Sequence, residues 1–383
     1  MQWIKDNTWE INQSKGLRYL GLVLSLIHII TFFQWNSLYS TPDTGTQIVC
    51  WSFFEKCKEA AFVTGNGGAL YTYLGLAALS AFLFLLGPAL TSRAWGLLAT
   101  TFFLKLSIYL FDYRLYSNTH TLVFLVELAF LLVPNKRNLF KSLILVYFLT
   151  SGLFKLNTAW LTGFAFEPLH FAPKVNEWLA VLSLIAELTL PFFLLARKMK
   201  HIFIGVISLT IYHFLMGSFE GYFHLFIMTL LLVLFPVLNQ EIHNEEQGYT
   251  FNSYLRPSPS KLWPPIGILV FLGLQALPFF LKLEWPTTPF ELIRPSLPEE
   301  CQQKSVAIYT SSTKILPNLL ENVEQHTSCK THIRLAALKD KCHELSQEKD
   351  FVTIYSSFVR RNFSESHFQT VFEMTDACGR TQK

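Results

Sequence analysis

Charge is scarce in this sequence. Of 383 residues, 15% are charged and 51% are hydrophobic, whereas ordinary soluble domains carry roughly 25% charged residues. A soluble globular fold is therefore a poor fit. The net charge is only +4, and no block of basic residues with interleaved aromatics occurs, so nothing points to nucleic acid as a partner. Signatures of common cofactor sites are missing too: there is no HExxH, no GxxxxGK[ST] and no CxxC. No period of the length that marks a solenoid repeats itself. The first apolar run has no small-x-small cleavage site after it, so it reads as a retained anchor and not as a cleavable signal.

What is present is apolar length. Nine runs have the composition of membrane spans, near 17–36, 69–90, 93–113, 118–134, 139–160, 176–196, 201–218, 221–238 and 263–283. They predict an all-α polytopic membrane bundle of about nine transmembrane helices over 17–285. A short segment, 1–16, precedes it, and a small C-terminal extracytoplasmic α+β domain over 290–383 follows it. Orientation comes from Lys and Arg in the short connections. Arg93, then Lys136, Arg137 and Lys141, then Arg197, Lys198 and Lys200, then Arg256 and Lys261 share one side with the N-terminal segment. That side is predicted to be cytoplasmic. Lys56, Lys58, Arg114 and Lys174 on the other side weaken the bias without reversing it.

Cysteine agrees with this topology. Cys50 and Cys57 follow the first run, Cys301, Cys329, Cys342 and Cys378 follow the ninth, and none lies inside a run. Six thiols confined to one compartment read as disulfides in an oxidising space. The spacing leaves their connectivity open, including whether a bond ties the first loop to the tail. In the tail, SVAIYT (305–310), FVTIYSSF (351–358) and FQTVFEM (368–374) alternate as strands do. KILPNLLENVEQ (314–325) and RLAALKDKCHEL (334–345) are predicted to be helices.

Polar residues within the spans converge on one level. At about 1.5 Å of rise per residue, the third run ends outside at Asp112 and Arg114, and the fourth begins there with Asn118 and His120. The fifth places Lys155 about a turn from its outer end. The seventh places Tyr212 and His213 near its end, and the eighth begins with Glu220 and His224. Ionisable groups inside a bilayer are costly and commonly mark a site. Each also has a plainer reading: Lys155 can snorkel to the headgroups, His120 and His224 can be interfacial, and Trp160 can belong to an aromatic belt. Glu127 and Glu187 lie deeper and need a proton or a partner, for which Lys105 is one candidate.

Four stretches in order carry a family resemblance. SGLFKLNTAWLTG (151–163) resembles the signature of the vitamin K-dependent γ-carboxylase family, and more broadly of the HTTM (horizontally transferred transmembrane) group. FDYRLYSNTHTLVFLVELAFLLVP (111–134), AELTLPFFLL (186–195) and TIYHFLMGSF (210–219) are similar to further segments of that family, with order and spacing agreeing over about 17–240. The resemblance implies Lys155 as the base that deprotonates vitamin K hydroquinone, His120 as a stabilising group and His213 in the same site. Asn118, Asp112, Tyr212, His224 and Trp160 complete the implied pocket. The implied cofactor is vitamin K hydroquinone or menaquinol, with no metal, and the implied reaction is carboxylation of a glutamyl peptide.

The sequence departs from the animal enzymes in its short tail, in Phe154 at a basic position and in Glu187 in place of aspartate. Three readings stay open: a carboxylase-like lyase, a non-catalytic protein that binds a lipid or quinone, and a protein that engages an envelope partner through its C-terminal domain.

Overall fold

A computed structural model describes residues 2–40, 68–112, 115, 118–133, 136–156, 158–163, 166, 171–196, 198–220, 222–248, 299–316, 331–362 and 367–379. Helices come first: α1 (Gln2–Gln13), α2 (Lys15–Ser40), α3 (Gly68–Leu85), α4 (Thr91–Phe111), α5 (Asn118–Leu132), α6 (Lys136–Phe154), the one-turn α7 (Thr158–Leu161), α8 (Pro173–Thr189), α9 (Met199–Glu220), α10 (Tyr222–Leu232) and α11 (Leu234–Gly248). The tail follows as β1 (Glu299–Tyr309), β2 (Thr313–Leu316), α12 (Thr331–Leu345), β3 (Phe351–Asn362) and β4 (Gln369–Met374).

Six helical stretches among the described residues are long and apolar enough to cross a membrane: Lys15–Ser37, Gly68–Leu85, Pro88–Phe111, Pro173–Leu195, Met199–Met216 and Tyr222–Glu241. They coincide with six of the nine predicted runs, and the chain is in this coarse sense a multi-helix membrane protein. The run at 118–134 forms a shorter apolar helix, Thr119–Leu132. The run at 139–160 is α6, which opens with Lys136, Arg137 and Lys141 and ends before Lys155. The run at 263–283 lies outside the described residues, as do Cys50, Cys57 and Cys329.

Local sequence explains where the helices stop and start. Gly87, at φ 108, leaves α3 in a conformation that L side chains avoid, and Pro88 opens the next turn with its fixed φ. Pro173 opens α8 in the same way. Near the other end of α8, Pro191 lacks a backbone donor, and the chain tightens into a 3₁₀ segment over Leu190–Leu195.

The bundle core runs through Leu24, Leu98, Phe130, Phe148, Leu209, Met228 and Phe235, all at most 1% exposed. Their burial away from lipid reflects side-chain packing between helices, since hydrocarbon offers no hydrophobic drive for helix association. A second cluster joins Phe32, Trp35, Leu70, Tyr73, Ile108, Tyr109 and Leu115, and Ala337 of α12 packs against it. The tail thus touches the bundle at the ends of α2, α3 and α4.

The tail is a four-stranded antiparallel sheet of order β2-β1-β3-β4. Leu338, Cys342 and Leu345 of α12 cover Ala307, Phe351 and Ile354. The predicted strands 305–310, 351–358 and 368–374 fall on β1, β3 and β4, and the helix at 334–345 is α12. One prediction fails: Lys314–Leu316 is strand, not helix. A tight return, with Tyr309 N–H donating to Ser312 O at 2.8 Å, pairs Thr313–Leu316 with Ser305–Ile308, and ladder bonds outweigh helical propensity. Residues 317–325 of that predicted helix lie outside the described residues.

Cys342 and Cys378 form a disulfide that ties α12 to the end of the sheet. Cys301 is also disulfide-bonded. Arg334 lies buried between α12 and the sheet. It donates to Gln303 Oε1 at 3.2 Å and stands 5.3 Å over the Phe358 ring. Burial lowers its pKa to about 10, which still leaves it charged at neutral pH.

Candidate functional site

Lys155 follows directly on the end of α6. Its N–H is shared between Ser151 O at 3.2 Å and Gly152 O at 3.1 Å, and Leu156 N–H reaches back to Leu153 O, so the last turn tightens as the helix closes. The side chain does not snorkel: Lys155 is 4% exposed. Nζ donates to Glu187 Oε1 of α8 at 2.6 Å and to Tyr212 OH of α9 at 3.1 Å, while Tyr212 OH donates to the same Oε1 at 2.8 Å. The ammonium also lies 4.5 Å from the centroid of the Trp160 ring, within cation–π range. Trp160 is accordingly not a membrane-belt residue. It is buried, and its indole N–H donates to Ala180 O at 3.2 Å.

Two glycines permit this assembly. A Cβ on Gly152 would stand 2.7 Å from Leu188 Cδ2 and 3.4 Å from Glu187 Cβ, so the missing side chain lets α8 bring Glu187 close against α6. Gly163 has φ 78, and a Cβ there would lie 2.5 Å from the backbone carbonyl carbon of Asn176. The loop that carries Trp160 can therefore lean on the start of α8.

A row of imidazoles extends from this cluster. His213, next to Tyr212, packs against Phe148 at 5.4 Å and edge-on to His224 at 5.1 Å between ring centroids. His224 Nδ1 is 2.8 Å from Thr119 Oγ1. One residue further along α5, the His120 ring packs 4.6 Å from Phe223 and 5.4 Å from Trp35. Trp35 Nε1–H donates to His120 Nε2 at 3.2 Å, and an indole nitrogen can only donate. Gln34 Oε1 lies 3.1 Å from the same nitrogen, so Nε2 stands between an indole donor and an amide group.

A second buried charge cluster lies beyond Trp35. Tyr73 stacks on Trp35 at 5.9 Å, and its hydroxyl is 2.8 Å from His28 Nδ1. His28 Nε2 lies 3.1 Å from Glu127 Oε1, close but outside hydrogen-bond alignment. Lys105 Nζ donates to both Glu127 oxygens, at 3.2 and 3.3 Å, and sits over the Phe124 ring. Lys105, Glu127 and His28 are each 0% exposed. The two deep carboxylates are thus paired separately, Glu127 with Lys105 and Glu187 with Lys155.

Of the residues singled out in the sequence, Lys155, Tyr212, Trp160, His213 and His224 come together, and His120 joins through Phe223 and Thr119. Asp112 is buried at the end of α4. Asn118 opens α5, and its side chain lies outside the described residues, as do those of Arg114 and Glu220. The sequence reading left Glu187 outside the site, although an acid in a span whose partner is unknown is itself a signal. It gave His28, Tyr73, Trp35 and Gln34 no role, because an aromatic or a single histidine on an apolar helix carries no mark of what it faces. Among the described residues, no group of three or more His, Cys, Asp or Glu side chains is arranged to hold a metal ion.

Comparison brings no relative. No family model, curated protein or solved structure matches the chain.

Proposed function

We propose that the chain is an integral membrane protein that binds a lipid-soluble hydroquinone beside Lys155 and ionises its hydroxyl group. The observation that carries this is the burial of Lys155 with its ammonium held between Glu187, Tyr212 and the face of Trp160. A lysine meant only to anchor a helix end would turn to the headgroups; this one is turned inward at the cost of desolvation.

The residues present fit such a ligand. Trp160, Phe166, Tyr212 and Met216 form an apolar and aromatic cluster, and Trp160 and Tyr212 bring it against the charged pair. Among the described residues, Glu187 Oε2 is buried and accepts no hydrogen bond, which leaves one acceptor for a ligand hydroxyl. When bound, a hydroquinone supplies an acidic O–H and reducing power. The chain's part is to orient that O–H, take its proton and hold the resulting negative charge in a site from which water is excluded. His213 and His224 lie next along the same wall, and His120 stands beyond them against Trp35.

Nine spans, a cytoplasmic N-terminus and an extracytoplasmic tail accompany this reading. Alternation of positive charge and the Cys342–Cys378 disulfide support that topology. The finer proposal, drawn from the resemblance to γ-carboxylases, is quinol-coupled carboxylation of a glutamyl peptide. The test is purified protein with reduced vitamin K or menaquinol, a glutamyl peptide and labelled bicarbonate. Incorporation that disappears in Lys155→Ala supports it, and quinol consumption without incorporation retains only the broader reading. No binding of either quinol sinks both.

A second reading, a lipid or quinone carrier without catalysis, is favoured by one feature: Lys155 already has an internal counter-ion. A quinone co-purifying with wild type but not with Lys155→Ala, with no turnover, would establish it.

A further inference from the structure

Resting on the reading of Lys155 as part of a hydroquinone site, we propose that Oε2 of Glu187 is the atom that takes the substrate's proton. Lys155 then serves as the cation that holds the ionised oxygen. Glu187 is 2% exposed. Its two oxygens are used unequally: Oε1 accepts from both Lys155 Nζ and Tyr212 OH, whereas Oε2 accepts nothing among the described residues. A buried carboxylate oxygen left without a donor is unfavourable, and buried polar atoms are nearly always paired in native proteins. A ligand O–H at Oε2 completes the set.

The hydrogen-bond pattern also assigns the charges. A carboxylate oxygen 2.6 Å from Lys155 Nζ and an aromatic face 4.5 Å away both favour an ammonium over a neutral amine. The resting pair is then ammonium and carboxylate, with no net charge. On transfer, the ligand O–H bond breaks, its electron pair stays on the ligand oxygen and the proton binds Oε2. The ammonium exchanges a carboxylate counter-ion for the ionised oxygen, and the site remains neutral throughout. Were a neutral amine the base beside ionised Glu187, the resting site would hold an uncompensated negative charge in a low dielectric, which is far more costly.

The experiment uses the full chain in detergent or nanodiscs, with menaquinol as the probe. Two quantities are read: quinone affinity by tryptophan quenching, and oxygen-dependent quinol consumption. Glu187→Gln is expected to lower consumption at saturating menaquinol by about 10²-fold or more, beyond any loss of affinity. Glu187→Asp should recover part of that loss. Lys155→Arg keeps a permanent cation that cannot act as a base, and it should retain activity well above Lys155→Ala.

An active Glu187→Gln, or a folded Lys155→Arg as inactive as Lys155→Ala, overturns the assignment in favour of the amine. If Glu187→Gln loses its folded elution profile, Lys155→Arg decides alone. Failure of wild type to bind menaquinol overturns the hydroquinone reading itself, which distinguishes the two failures.

Discussion

Replacing Lys105 by methionine would remove the cation that both Glu127 oxygens share at 3.2 and 3.3 Å in a site with no exposed surface. Breaking one side of a buried ion pair costs about 3–5 kcal/mol, because the remaining charge has no compensation. His28 Nε2, 3.1 Å from Glu127 Oε1, is near enough to donate a hydrogen bond to the carboxylate after a small ring rotation, which places the expected loss near the lower figure. The cation over Phe124 is lost as well.

At roughly 2–4 °C per kcal/mol for a domain of this size, a loss of about 3 kcal/mol moves the midpoint of thermal aggregation by roughly 6–12 °C. The assay is the monodisperse fraction of detergent-solubilised protein after heating. The double variant Lys105→Met, Glu127→Leu removes both charges and should recover most of the loss, since apolar replacement of a whole buried pair is often close to neutral. A single variant as stable as wild type, or a double variant no better than the single, would refute the view that this pair is energetically coupled.

Other perturbations bear on how the Lys155 site is built. Gly152→Leu should push α8 away from α6, because its Cβ alone would stand 2.7 Å from Leu188 Cδ2; loss of quinone binding at unchanged expression would show it, and unaltered binding would count against the close approach. Gly163→Ala should destabilise by more than the roughly 1–2 kcal/mol that a positive φ costs an L residue, since its Cβ also meets the Asn176 backbone. A thermal midpoint equal to wild type would contradict this. Cys342→Ala opens a loop of sequence separation 36 and should cost the tail about 3–4 kcal/mol, read as faster proteolysis of residues 299–379 in the full chain. Unchanged proteolysis would mean that packing of α12 alone holds the tail together.

Much of the fold could be read along the chain, because membrane insertion sums transfer energies over consecutive residues. Among the described residues, six of the apolar runs are helices of spanning length, and the tail's alternating runs are strands. Where the reading slipped, a local competitor had won. The run at 139–160 ends early because the chain closes its helix at Lys155, and Lys314–Leu316 became strand because a neighbouring strand offered ladder bonds.

The ionisable residues themselves were equally visible, and Lys155, His213, His224 and Tyr212 do meet. Their partners were not visible. Whether Lys105 takes Glu127 or Glu187, whether Trp160 faces lipid or an ammonium, and whether Tyr73 reaches His28 depend on how helices rotate and how closely two glycines let them approach. Sequence by itself determined which residues lie within the apolar runs and roughly at what depth, since depth is a property of one helix. Only the tertiary structure decided which charge neutralises which, because pairing is a property of two helices and of the side chains that separate them.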